Sequence, residues 1–222
     1  MSAPVTKLYY LTSSLFNTTY GGLRDGVAPA QTNTAIGWNV GQNNPPLYCE
    51  MNWPAEVART STQWQATPTQ SIPNQTVGTS NGNCILGGPI NGEFTAGNWI
   101  ISMSVKAVTN AATHTGRLLY RVWTSPTGSG ASASLITASF ISSSIVTVNS
   151  TTNPAVTTCQ FSLPRMNLKN EFLLFQTYWE IVTAAANNNA DNDFVLGTGS
   201  FIQSSPFIES SAKTVLWKQY DD

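Results

Sequence analysis

The run Phe172–Val182 is the feature that most constrains this chain. Leu173, Phe175, Trp179 and Ile181 fall on one side of an extended backbone, interrupted only by Thr177. Phe172, Leu174, Gln176, Tyr178, Glu180 and Val182 fall on the other. Successive side chains of a strand point to opposite faces, so this alternation predicts a strand with one face in a core and one partly wet. A polar tip, Asn187–Asp193, follows, and then Phe194-Val195-Leu196. The stretch Asn170–Ile202 therefore reads as two strands joined by an Asn/Asp loop.

Other windows repeat the pattern. In Gly97–Val108, Trp99, Ile101, Met103, Val105 and Ala107 share a face, opposite Ser102, Ser104 and Lys106. Leu118, Tyr120 and Val122 oppose Arg117, Leu119, Arg121 and Trp123. Ala155–Leu163 alternates too, and Leu135–Val148 is rich in Ser, Thr, Ile and Val with no charge. Lys7–Thr12 and Cys84–Leu86 are shorter strands, and Gly87-Gly88-Pro89 and Asn91-Gly92 read as turns. Ala35–Trp38 is a further short strand, and Lys213–Tyr220 a final strand or docking tail. Helical spacing is sustained nowhere, and only Asn52–Arg59 suits a turn or two of helix, with Pro54 near its start. The fold class is all-β: a two-sheet antiparallel sandwich, with a jelly roll as the expected form. One domain is expected over 1–222, with a loop-rich part at 1–84, the main strands at 85–207 and a tail at 208–222.

Charged residues make up only 9% of the chain, far below the roughly 25% of an ordinary soluble protein. Ser, Thr, Asn and Gln take their place, which suits a surface that packs closely against neighbours. A net charge of −1 offers nothing to nucleic acid or to an anionic membrane, and neither is expected as a partner. No apolar run approaches the ~20 residues that span a bilayer, and the N-terminus lacks the pattern of a signal peptide. Synthesis in the cytoplasm without an anchor is the expectation.

Candidates for chemistry are few. The three cysteines, Cys49, Cys84 and Cys159, lack CxxC spacing and read as buried free thiols, with one disulfide and a spare thiol as the alternative. The lone histidine, His114, falls in a Thr/Asn/Gly loop with no marked acid partner. Glu171 and Glu180 face opposite sides of one strand, so Glu180 is better placed to pair with Arg117 or Arg121 than to join an acid/base couple. Asn189, Asp191 and Asp193 put oxygen donors at alternate positions, as part of a Ca²⁺ loop would, yet the Gly and distal Glu of an EF-hand are missing. The expected cofactor is none. Trp38, Trp53 and Trp64 lie in loop-rich sequence and are the candidates for stacking on a glycan.

The block Phe94–Val105 resembles the opening strand of tailed-phage virion β-sandwich proteins. Arg117–Trp123, the Asn187–Asp193 tip leading into Phe194–Ser200, and Ser204–Phe207 resemble them as well. The first 85 residues carry no such likeness. The resemblance implies a virion component, foremost a capsid decoration (cement) protein bound to the major capsid protein or to other virion subunits. It also implies a homo-oligomer, a trimer by analogy. On that reading the contacts come from two aromatic arms, through Leu8, Tyr9 and Tyr10 and through Val215, Leu216, Trp217 and Tyr220. The alternative is a carbohydrate-binding or host-adsorption module of a tail or fibre. An enzyme, such as a glycan hydrolase, is not expected.

Overall fold

The structure is a computed structural model that describes residues 3–15, 21–25, 33–34, 47–50, 83–107, 114–127, 133–137, 139–148, 154–183, 192–195 and 198–210. These residues form strands and their connections, with no helix among them. The strands are β1 (Val5–Leu15), β2 (Gly21–Asp25), β3 (Asn33–Thr34), β4 (Leu47–Glu50), β5 (Asn83–Phe94), β6 (Gly97–Ala107) and β7 (His114–Ser125). They continue with β8 (Ser134–Leu135), β9 (Ile141–Ser142), β10 (Val146–Val148), β11 (Ala155–Leu163), β12 (Met166–Thr183), β13 (Asn192–Val195) and β14 (Phe201–Glu209).

Pairing groups the strands into two layers. One runs β5-β12-β7, with β8, β9 and β10 end to end along the outer edge of β7 and β4 beside β12. The other runs β1-β14-β6-β11, with β13 following β14 along β6. Pairing is antiparallel apart from a short parallel match of β2 with β5. The sandwich expected from sequence is present, but its layers are not separate sheets. β2 links β1 to β5, and the end of β14 pairs with Gly92–Phe94, so hydrogen bonding turns the corner from layer to layer.

The core fills the space between the layers. Trp99, Ile101, Met103 and Val105 of β6, with Cys159, Phe161 and Leu163 of β11, meet Leu118, Tyr120 and Val122 of β7 and Leu173, Phe175, Trp179 and Ile181 of β12. Trp99 packs on Phe94, with ring centroids 4.9 Å apart, and Phe94 packs on Phe207 at 4.7 Å. Burying each such ring contributes about 1.5–3 kcal/mol. The faces read from alternation are the faces found in the core.

Several expectations are corrected. The two strands expected on either side of the Asn/Asp tip are β12 and β13, and they lie in different layers: β12 pairs β5, β7 and β4, whereas β13 pairs β6 and β3. Asn192 and Asp193 belong to β13, because the open edge of β6 captures them and outweighs their turn preference. His114 opens β7 opposite Val148 and is a strand residue rather than a loop residue. The uncharged, β-prone stretch Leu135–Val148 contributes to three short edge pieces, β8, β9 and β10. β14 extends through Gln203-Ser204-Ser205-Pro206, a polar stretch that gave no strand signal.

β5 continues through both expected turns. The Gly88–Pro89 peptide is cis, and Gly88 takes a φ of 140° that favours glycine. A Cβ on Gly88 would lie 3.0 Å from the Glu171 carbonyl oxygen, where the register with β12 shifts. The glycines therefore serve an irregular strand pair instead of ending the strand. The proposed strand at 35–38 and the helical turn at 52–59 lie outside the described residues.

Candidate functional site

The outer face of the β7–β12 pair gathers the charged and aromatic side chains. Sequence alternation marks this face as partly wet, yet Leu174, Gln176, Tyr178 and Glu180 are buried, as are Leu119, Arg121 and Trp123. The correction has a visible cause. Residues 133–137 and 139–145 line the edge of β7, and from there Ala133 packs on the Trp123–Leu174 pair while Phe140 packs on Tyr178 and Arg121. Val122 N–H donates to Thr137 Oγ1 at 3.2 Å and Leu118 N–H to Ser143 Oγ at 2.9 Å, which ties this strap to β7.

On this face several polar groups bond to one another. Trp123 Nε1 donates to Gln176 Oε1 at 3.3 Å, and Gln176 Nε2 donates to Tyr178 Oη at 3.2 Å. Phe140 meets Tyr178 edge-on, with centroids 5.5 Å apart. The Arg121 guanidinium lies 4.6 Å from the Phe140 ring centre and 5.8 Å from that of Trp123. Burial lowers the pKa of Arg121, and the flanking ring faces favour its cation. One row along, Arg117 Nε donates to Glu180 Oε2, and Arg117 Nη2 reaches Glu180 Oε1 at 3.4 Å. The expected partnership of Glu180 with Arg117 is present, while Arg121 is held between rings.

These contacts hold the strap against the β7–β12 pair. Glu180 is buried and engaged by a guanidinium. Glu171 lies nine residues away on the same extended strand, about 30 Å distant, so the two cannot act as the paired carboxylates of a glycosidase. Cys159 is a free, buried thiol whose pKa burial raises to about 11, so it is held as the unreactive thiol. Among the described residues no group of three His, Cys, Asp or Glu could hold a metal. Of the Ca²⁺ candidates, Asp193 is in β13 with its backbone opposite Lys106, and Asn189 and Asp191 lie outside the described residues. Trp38, Trp53, Trp64, Val215, Leu216, Trp217 and Tyr220 lie outside them as well.

The first aromatic arm is a strand of the fold. β1 is held in register between β14 and β2, and Tyr9 is 1% exposed within the core. Only Leu8 and Tyr10 turn outward, half-buried. They belong to the outer face of the β1-β14-β6-β11 layer, where Leu8 pairs with Gln203 and Tyr10 with Phe201. The same face continues across Ile100 and Ser102 to Gln160 and Thr158. These eight positions carry no charge. The turn at Gly199–Ser200 covers part of the face: Ser102 Oγ donates to the Gly199 carbonyl at 2.9 Å, and Ser104 N–H donates to Ser200 Oγ at 3.0 Å. Sequence reasoning missed this face because its residues come from four separate segments and none is a chemical motif.

No protein-family model matches the chain, and no curated protein does. Among solved structures the chain is similar to a CocE/NonD family hydrolase from Staphylococcus aureus, at 10% identity and a TM-score of 0.33, over 90% of this chain and 41% of that one. The chain thus spans about two fifths of the length of that hydrolase. The expectation that the chain is not an enzyme is corrected by this match, and the exclusion is withdrawn. A likeness at this TM-score assigns no activity to the chain.

Proposed function

We propose that the chain is a virion structural protein of a tailed phage, a capsid decoration protein that bridges and stabilises neighbouring major capsid subunits and acts as a homo-oligomer. The strand order is the observation that carries this reading. One layer runs β1-β14-β6-β11 and the other β5-β12-β7-β10, so early and late strands interleave in both. That interleaving supports assignment as a jelly roll, an architecture in which two Greek keys form the two layers and which viral capsid domains use. The uncharged outer face around Ile100, Phe201 and Gln203 adds support, because it can be covered by a neighbour with no charge left unpaired. Many modest contacts made at once would hold such a protein on a shell. The trimer, assembled on the capsid lattice from chains that are not trimeric in free solution, and the location in the particle are part of the same proposal.

The test is to locate the protein in purified particles and to compare shells with and without it. Occupancy of the capsid lattice, with shells that resist heat or force better when it is present, is the expected result. Finding it only at a tail tip, or as a free chain that binds glycans, would overturn the reading.

A further inference from the structure

We infer that the free edge of β11 is a self-association site, where a second copy of this chain adds its own β11 antiparallel. β11 is paired with β6 along its whole length and, among the described residues, has no second strand partner. On its other edge the Thr158 carbonyl accepts from Ser144 N–H at 3.0 Å, and Thr158 N–H donates to Ser144 Oγ at 3.3 Å. The peptide groups of Thr158 therefore point away from β6. Alternate residues of an antiparallel strand present both groups to the same edge, so Gln160 and Ser162 present theirs there too. Among the described residues nothing accepts from or donates to those groups, and both residues are exposed. The side chain of Ser162 is occupied elsewhere, donating to Asn98 Oδ1 at 2.8 Å. Pro164, next in the series, has no N–H, and ends the open run.

An edge of this kind is usually blunted by lysine, proline or a covering loop. Here residues 142–144 bond to Thr157, Thr158 and Cys159, and Pro164 closes the far end, but the window Gln160–Leu163 between them carries no charge. Its geometry is self-complementary. With a two-fold axis at Phe161, Gln160 faces Ser162 of the second copy, and Ser162 faces its Gln160. Each of these two pairs exchanges both of its N–H···O=C bonds. The same axis sets Pro164 of each copy opposite Thr158 of the other. The chain leaves β11 there, so it avoids the place where Ser144 already holds Thr158. Arg165 falls opposite Thr157 and not opposite its own counterpart, so no like charges meet across the axis. The product joins two β1-β14-β6-β11 layers into one continuous sheet. This inference stands without the virion reading, because it concerns the isolated chain.

Sedimentation velocity of the full chain over a concentration series tests it. The expected result is a mass that rises from 23.9 kDa toward twice that value. Ser162→Pro, which deletes the edge N–H, and Gln160→Lys with Ser162→Lys, which sets like charges face to face, should both stay at the single-chain mass with an unchanged melting temperature. Amide exchange at Gln160 and Ser162 should slow as wild-type concentration rises. A wild-type chain that stays single throughout, or variants that all associate as wild type does, would overturn the site. Protection that does not depend on concentration would assign the edge to another segment of this chain and equally overturn it.

Discussion

Gly116 offers the sharpest test of how the core is built. It lies on the core face of β7, in register with Ile181 on one side and Val146 on the other. A Cβ placed there would come within 2.5 Å of Trp179 Cε2 and 2.8 Å of the Glu180 carbonyl oxygen. Carbon–carbon contacts are comfortable at about 3.5–4.0 Å, so the indole or the strand must move by an ångström or more. The indole has little room, since Trp179 is wholly buried in the core cluster with Leu118 and Ile181. Gly116→Ala adds one methyl group and should still destabilise the fold by about 3 kcal/mol, at the upper end for overpacking. Trp179→Phe alone should cost about 2 kcal/mol through the space it leaves. The double variant separates this account from a generic loss of stability. Phe lacks the part of the indole that meets the new methyl, so the two changes should together cost about 3 kcal/mol instead of the additive ~5. Rescue stops short of complete because the carbonyl contact remains. Urea denaturation with unchanged m-values is the assay. A Gly116→Ala protein within about 0.5 kcal/mol of wild type, or strict additivity in the cycle, would refute the packing argument.

Further outcomes follow from the outer face and the thiol. Arg117→Ala should destabilise by roughly 1–3 kcal/mol, discounted because the guanidinium is one-third exposed, and adding Glu180→Gln should recover part of the loss by removing the buried charge. Chemical denaturation of the two variants checks both statements, and no recovery in the double variant would count against the pair. Ser143→Ala leaves the Leu118 N–H without its acceptor beneath the strap and should cost about 1–2 kcal/mol, with faster amide exchange at Leu118 as the local sign. The Cys159 thiol has a folded pKa of about 11, raised from 9.0 by burial, so the folded chain holds a proton that the unfolded chain releases first. That contribution is complete below pH 9.0 and declines as pH rises toward about 11. Melting across this window should fall less steeply in Cys159→Ala, and Cys159 should react with thiol reagents only after unfolding.

The part of this architecture that is legible in the sequence is the part governed by one face of one strand. Trp99, Ile101, Met103 and Val105, or Leu173, Phe175, Trp179 and Ile181, cannot alternate at period 2 over such lengths without sharing a buried face, and they do share one. The same arithmetic marked the opposite faces as wetter, and there it failed. Ser102, Gln176 and Glu180 are buried where the Gly199 carbonyl, Trp123 and Arg117 engage them, and a polar residue in sequence carries no sign that another segment will supply its hydrogen bonds. Turn signals misled at Gly87-Gly88-Pro89, where glycine serves a close approach to Glu171 within a strand. The Asn/Asp tip misled at Asn192 and Asp193, where an available strand edge prevailed over local preference.

Alternation and the scarcity of charge, both local properties of the chain, by themselves determined an all-β fold, its core residues and a surface suited to packing against neutral neighbours. Only the tertiary structure decided which strands are neighbours, since hydrogen bonding along a strand edge is blind to distance in sequence: β1 meets β14, and β12 meets β5 and β7 instead of β13. It also decided where the exposed surfaces lie. The uncharged face spread over four segments, and the open edge at Gln160 and Ser162, exist only once those strands are side by side.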